Sequence, residues 1–129
     1  MVANPHENAI SHTIIGCALR VHSALGPGLL ESAYQACLQF EIRRTGLRVN
    51  LQKPLPLVYH SVRLDCGYRA DLIVENKVII EVKSVECLAD IHTAQLLTYL
   101  RLADLRLGLL LNFNVIHMKD VIRRVVNNL

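Results

Sequence analysis

Tyr68-Arg69-Ala70-Asp71-Leu72-Ile73-Val74-Glu75-Asn76-Lys77-Val78-Ile79-Ile80-Glu81-Val82-Lys83 decides the fold. Two short β-prone runs, Tyr68 to Val74 and Val78 to Lys83, flank Glu75-Asn76-Lys77, which reads as a tight antiparallel hairpin. Alternate side chains of a strand share a face. Ala70, Leu72, Val74, Val78, Ile80 and Val82 therefore form a core face. The opposite face carries Asp71, Ile73, Glu75, Ile79, Glu81 and Lys83. A turn centred on Asn76 sets Asp71 directly across from Glu81, with Cβ atoms about 5 Å apart.

Two facing carboxylates repel and normally destabilise a sheet, so a compensating charge is expected. A divalent cation is the natural one, because Mg²⁺ takes hard oxygen ligands, one or two of them carboxylates, and fills the rest with water and phosphate oxygens. Lys83, one pleat beyond Glu81, would then aim its ammonium at the attacking water and the phosphate. The same three residues also fit the solvated face of a half-exposed hairpin with Lys83 pairing either acid. Ile73 and Ile79 argue against that reading, since they require cover over the acid-bearing face.

Working outward, apolar residues recur at helical spacing from Asn8 to Leu25 until Gly26-Pro27-Gly28 breaks the run. A second helix is expected from Leu29 to Thr45, with Arg43 and Arg44 in its last turn and Gly46 as its stop. Leu47 to His60 reads as one irregular edge strand, because Pro54 and Pro56 cannot donate to a central ladder. Beyond the hairpin, Leu88 to Ala103 returns to helical spacing, Arg106 to Phe113 is an apolar strand, and Val121 to Val126 is a short strand or tail.

The chain has 129 residues, of which 52% are hydrophobic and 19% charged. That is one domain over residues 1–129, too apolar for disorder, and too small to bury all its apolar surface alone. A homodimer or a stable partner interface is the expectation that follows. Cysteines 17, 37, 66 and 87 form no CxxC pair and read as reduced, buried thiols of a cytoplasmic protein. Neither a secretory segment nor a membrane-spanning run is indicated. A net charge of +3 permits a polyanionic partner without requiring one. There is no Walker loop, no GxGxxG, no GxSxG and no zinc spacing among the six histidines. Arg123, Arg124 and Lys119 form a small basic cluster that reads as a solvated tail able to touch phosphate.

Asp71 and Glu81-Val82-Lys83 on a hairpin, between a helix bearing Glu31 and a helix bearing Gln95 and Tyr99, resemble the PD-(D/E)xK nuclease superfamily. Gly28-Leu29-Leu30-Glu31-Ser32-Ala33-Tyr34 is similar to the signature of one branch, the small bacterial GxxExxY proteins. The likeness continues through Tyr68 to Glu75, Glu81 to Glu86, Ala94 to Leu100 and Gly108 to Phe113, and covers roughly residues 8 to 127. The superfamily's leading proline is replaced here by Arg69 or Ala70.

The resemblance implies an α/β fold, a restriction-endonuclease-like core with a central mixed β-sheet flanked by helices. It implies that Asp71, Glu81 and Glu31 hold Mg²⁺ or Mn²⁺, that Lys83 is the catalytic lysine, and that the partner is nucleic acid, DNA ahead of RNA. Gln95 and Tyr99 resemble the QxxxY element of RecB-like nucleases, which supports the site or contacts substrate. Helical spacing agrees: Gln95 and Tyr99 are i, i+4, His92 lies three residues before Gln95, and Glu31 and Tyr34 are i, i+3. Tyr34 also fits a core aromatic with a bonded hydroxyl, and Glu31 a plain complement to its helix dipole. The function expected is hydrolysis of phosphodiester bonds. The rivals are a catalytically silent nuclease-fold module that binds nucleic acid or protein, and a subunit active only with a partner.

Overall fold

The computed structural model describes residues 4–118 and 122–129. Among the described residues three helices, α1 (Glu7–Leu25), α2 (Glu31–Arg44) and α3 (Asp90–Ala103), enclose strands β1 (Val49–Pro54), β4 (Arg69–Val74), β5 (Val78–Lys83), β6 (Leu107–Asn112) and β7 (Ile122–Val126). The sheet runs β1-β4-β5-β6-β7, and a separate two-stranded ribbon pairs β2 (Leu57–Tyr59) with β3 (Val62–Leu64). Only β5 and β6 are parallel, joined over α3; the other neighbours are antiparallel, so the sheet is mixed.

Both faces of the sheet are covered, and its central strands read as nearly continuous apolar runs for that reason. Under α1 and α2 lie Leu72, Val74, Val78, Ile80 and Val82 with Leu107, Leu109 and Leu111. Under α3 lie Ala70, Ile73, Ile79 and Leu110 with Leu96, Tyr99 and Leu100. The acid-bearing face is thus buried, as Ile73 and Ile79 required, each at 1% exposure or less.

Ala70 departs from the expected alternation: it packs under α3 although Leu72, two residues on, packs under α1 and α2. The switch falls at Asp71, across from Gln52 of β1, which takes a left-handed φ of 54° inside the strand. A non-glycine residue there is strained.

Three further expectations are corrected. Leu47 to His60 is two strands, since Pro54 and Pro56 end β1 and the chain then folds back as β2 and β3. Cys66 and Cys87 are exposed, and only Cys17 is buried, though all four thiols are free. Arg123 and Arg124 are not a loose tail: Arg123 donates to Thr93 Oγ1 and to the Leu88 carbonyl, and Arg124 to Asn8 Oδ1. Lys119 and Val121 lie outside the described residues. The final strand is real over Ile122–Val126 and pairs with β6.

Candidate active site

The start of β4 and the end of β5 meet at one rim of the sheet. Pairing of the two strands runs from Val74↔Val78 to Leu72↔Ile80, and one further step brings Asp71 to Glu81. At that step side chains take over the ladder. The Asp71 N–H donates to Glu81 Oε2 at 2.8 Å, and the Val82 N–H donates to Asp71 Oδ2 at 2.8 Å. Each carboxylate is fixed by the other strand's backbone.

Glu81 is 6% exposed. Burial first, and the negative charge of Asp71 second, push its carboxyl up to about 8. Burial raises the Asp71 carboxyl as well, against the Val82 N–H and the Lys83 charge, which draw it down. Lys83 is half-buried and lowers both acids, so its ammonium is within electrostatic reach of the pair.

Glu31 arrives from the first turn of α2. Its Oε2 accepts the Ser84 N–H at 3.0 Å, while Ser84 Oγ donates to the Leu29 carbonyl at 2.7 Å. This clasp locks the helix start to the residue after Lys83. On the other side Asn112, 1% exposed, accepts from the Val85 N–H and donates to the Val85 carbonyl. The exit of β5 is therefore pinned from two directions, which fixes where Lys83 leaves the sheet.

Tyr34 is fully buried and stacks on Phe113, ring centroids 4.5 Å apart. Its hydroxyl donates to the Gly26 carbonyl at 2.6 Å and accepts the Leu29 N–H at 3.1 Å. It holds the Gly26-Pro27-Gly28 loop, and through it the start of α2 that carries Glu31. His92 accepts the Ala89 N–H on Nδ1 and so caps α3. Gln95 Nε2 donates to the Tyr99 hydroxyl at 3.2 Å. Burial raises the Tyr99 phenol, and the charges of Glu81 and Asp71 raise it further, so Tyr99 is within electrostatic reach of the acids.

Sequence reasoning passed over a relay behind Asp71. Gln52 Nε2 donates to Gln35 Oε1 at 2.7 Å and reaches Asp71 Oδ1 at 3.4 Å. Gln35 is buried one helical turn from Glu31, and a polar residue on a buried helical face was the available signal. Asn112, polar at the end of an otherwise apolar strand, was another.

The donor set fits a hard divalent ion. It offers carboxylate oxygens only, from a like-charged pair whose repulsion a cation relieves. Among the described residues no buried side-chain nitrogen or oxygen lacks a partner, so the Glu81 oxygen not taken by the Asp71 amide reaches the surface. Among the same residues, no three His, Cys, Asp or Glu side chains are drawn into one closed metal-holding group. Glu31 stands beside the pair and is tied to Ser84, not gathered into it.

The fold accords with one known family. The sequence profile of the PD-(D/E)XK nuclease superfamily matches residues 8–125. The chain belongs to the PD-(D/E)XK nuclease superfamily. No curated protein and no solved structure matches it. Within the superfamily's fold the hairpin of β4 and β5 carries Asp71, Glu81 and Lys83. No helix among the described residues is long and apolar enough to cross a membrane.

Proposed function

We propose that the chain is a metal-dependent nuclease of the GxxExxY branch that hydrolyses phosphodiester bonds of nucleic acid, DNA in preference to RNA. The observation that carries this reading is the reciprocal amide capture by Asp71 and Glu81, which holds two carboxylates together at a cost that a divalent cation would offset. Mg²⁺ or Mn²⁺ held by Asp71 and Glu81, with Glu31 the third acid beside them, supplies Lewis-acid activation of water and of a phosphoryl oxygen.

The chain's own residues do the rest. Asp71 and Glu81 are preorganised by backbone amides, so no rotamer freedom is lost when they bind. Lys83 sets a positive charge where negative charge grows on the phosphate during attack. Gln95 and Tyr99 present a donor and a hydroxyl to the same rim and orient substrate there. Tyr34 and His92 support the site by holding the helices that carry Glu31 and Gln95.

A second copy or a partner protein belongs to this reading, and exposed Leu30, Phe40 and Ile116 support it. Free thiols at all four cysteines support a cytoplasmic setting.

Cleavage of a labelled DNA strand tests the proposal. Turnover that needs Mn²⁺, stops with EDTA, and is lost in Lys83→Met while Mn²⁺ still binds is the expected result. Cleavage indifferent to EDTA would overturn it.

A further inference from the structure

The site as read above makes no use of the β2–β3 hairpin. Leu57 is half-buried, and every other residue of the two strands is exposed. Tyr59 stands 66% exposed, Val58 57% and Val62 49%, side chains that water disfavours. A short ribbon with no core face gains little from its own packing, so its composition answers to something outside the chain.

Its position supplies the first clue. The ribbon springs from the rim that carries the acids: the Leu55 N–H donates to the Tyr68 carbonyl at its root. The Tyr68 ring lies 6.2 Å from that of Tyr99, and Tyr68 is three residues before Asp71 at the start of β4. Three strand residues at about 3.3 Å each put the tip about 10 Å from the rim. That is about three nucleotides of a stacked strand.

Its chemistry supplies the second. At the tip Tyr59 and His60 pack edge to face, ring centroids 4.6 Å apart, and His60 makes the turn with a φ of 54°. On the ribbon Arg63 lies across from Val58, Arg69 follows where the ribbon rejoins the sheet, and the one carboxylate between Val49 and Arg69, Asp65, accepts the Gly67 N–H. Exposed rings among cations suit bases joined by phosphates. A ring can stack only on a base whose face is free, and within a duplex stacking on the neighbouring base pairs covers those faces.

We infer that the β2–β3 hairpin is a stacking platform for unpaired bases, which makes single-stranded nucleic acid the substrate class led to the acid pair. The word substrate rests on the nuclease reading; the binding itself does not.

Fluorescence anisotropy of the full chain in EDTA separates the two. The probes are a short oligothymidine, an abasic strand of equal length, and a duplex containing the same strand. The wild type is expected to bind oligothymidine about tenfold or more tighter than the other two. Tyr59→Ala should remove most of that margin and leave abasic affinity unchanged, while Tyr59→Phe keeps it. Arg63→Ala should weaken all three probes and reduce the salt slope by about one. Equal affinity for duplex and single strand, no binding to any probe, or a Tyr59→Ala loss shared by all probes would overturn the inference. So would a Tyr59→Ala variant that binds every probe normally but falls from a larger assembly to a monomer in light scattering, which would make the hairpin a protein-docking face. Base-dependent binding without Mn²⁺-dependent cleavage would refute the nuclease reading and leave the hairpin's role standing.

Discussion

Asp71 and Glu81 take backbone amides from each other's strands, the Asp71 N–H on Glu81 Oε2 and the Val82 N–H on Asp71 Oδ2, both at 2.8 Å. The two acids thus replace the last rung of an antiparallel ladder. Neither can swing away from the other without breaking a bond. The price is like charge held close in a buried place, and Glu81 meets it by holding a proton up to about pH 8.

Stability of the metal-free protein should therefore fall as pH rises. Glu81 has an ordinary value of 4.5 when unfolded and about 8 when folded, so between those limits the folded state binds more protons than the unfolded. The slope is at most about 1.4 kcal/mol per pH unit, and the contribution is lost as pH passes through 8. Denaturant melts in EDTA from pH 5 to 9 check this. Glu81→Gln should flatten the curve, and Mn²⁺ should restore stability at the alkaline end.

Lys83 draws both carboxyls down. In Lys83→Met the Glu81 titration should move above about 8, read from carboxyl carbon shifts. If the ammonium also meets the phosphate, kcat should drop about a hundredfold or more. An unmoved titration would place the lysine away from the pair.

Tyr34→Phe keeps the stack on Phe113 but loses both hydroxyl bonds to the Gly26–Leu29 loop. A loss of about 1 kcal/mol is expected, a few degrees in Tm. The Ser84–Glu31 contact should loosen with it, seen as faster amide exchange at Ser84.

Gly108→Ala should act on the opposite face. A Cβ there would meet Leu96 side-chain atoms at 2.9 Å, because α3 packs directly on bare backbone of β6. Overpacking costs about 1–3 kcal/mol, and here it would also shift the helix that presents Gln95 and Tyr99. Reduced Tm with reduced kcat is the expected outcome, and an unchanged melt would contradict the close approach.

Much of this was legible in the sequence because it is local. Gly26-Pro27-Gly28 sets the boundary between α1 and α2 within two residues, and Glu75 and Asn76, both at positive φ, turn the hairpin where the pattern put it. From that turn the Asp71–Glu81 pairing follows by counting. Gln95 and Tyr99 meet because helical spacing brings them together. What was not legible depends on tertiary partners. Strands of three residues, as in β2 and β3, show no periodicity, and Leu47 to His60 reads as one apolar run. Ala70 changes face next to the point where Gln52, on another strand, takes a left-handed φ, a feature that no local pattern announces. Arg123 looks like a solvated charge until α3 brings Thr93 beside it. His92 aligns with Gln95 on paper, yet its Nδ1 is occupied by the Ala89 amide.

Cleavage of a mixed panel of single-stranded, duplex and branched DNA and RNA, in Mn²⁺ and in EDTA, with wild type beside Asp71→Ala, tests the account most directly. It predicts Mn²⁺-dependent cutting by the wild type, strongest on single-stranded DNA, and none by the folded variant. Cutting by Asp71→Ala at the wild-type rate would contradict it, because the acid pair would then not be the active site.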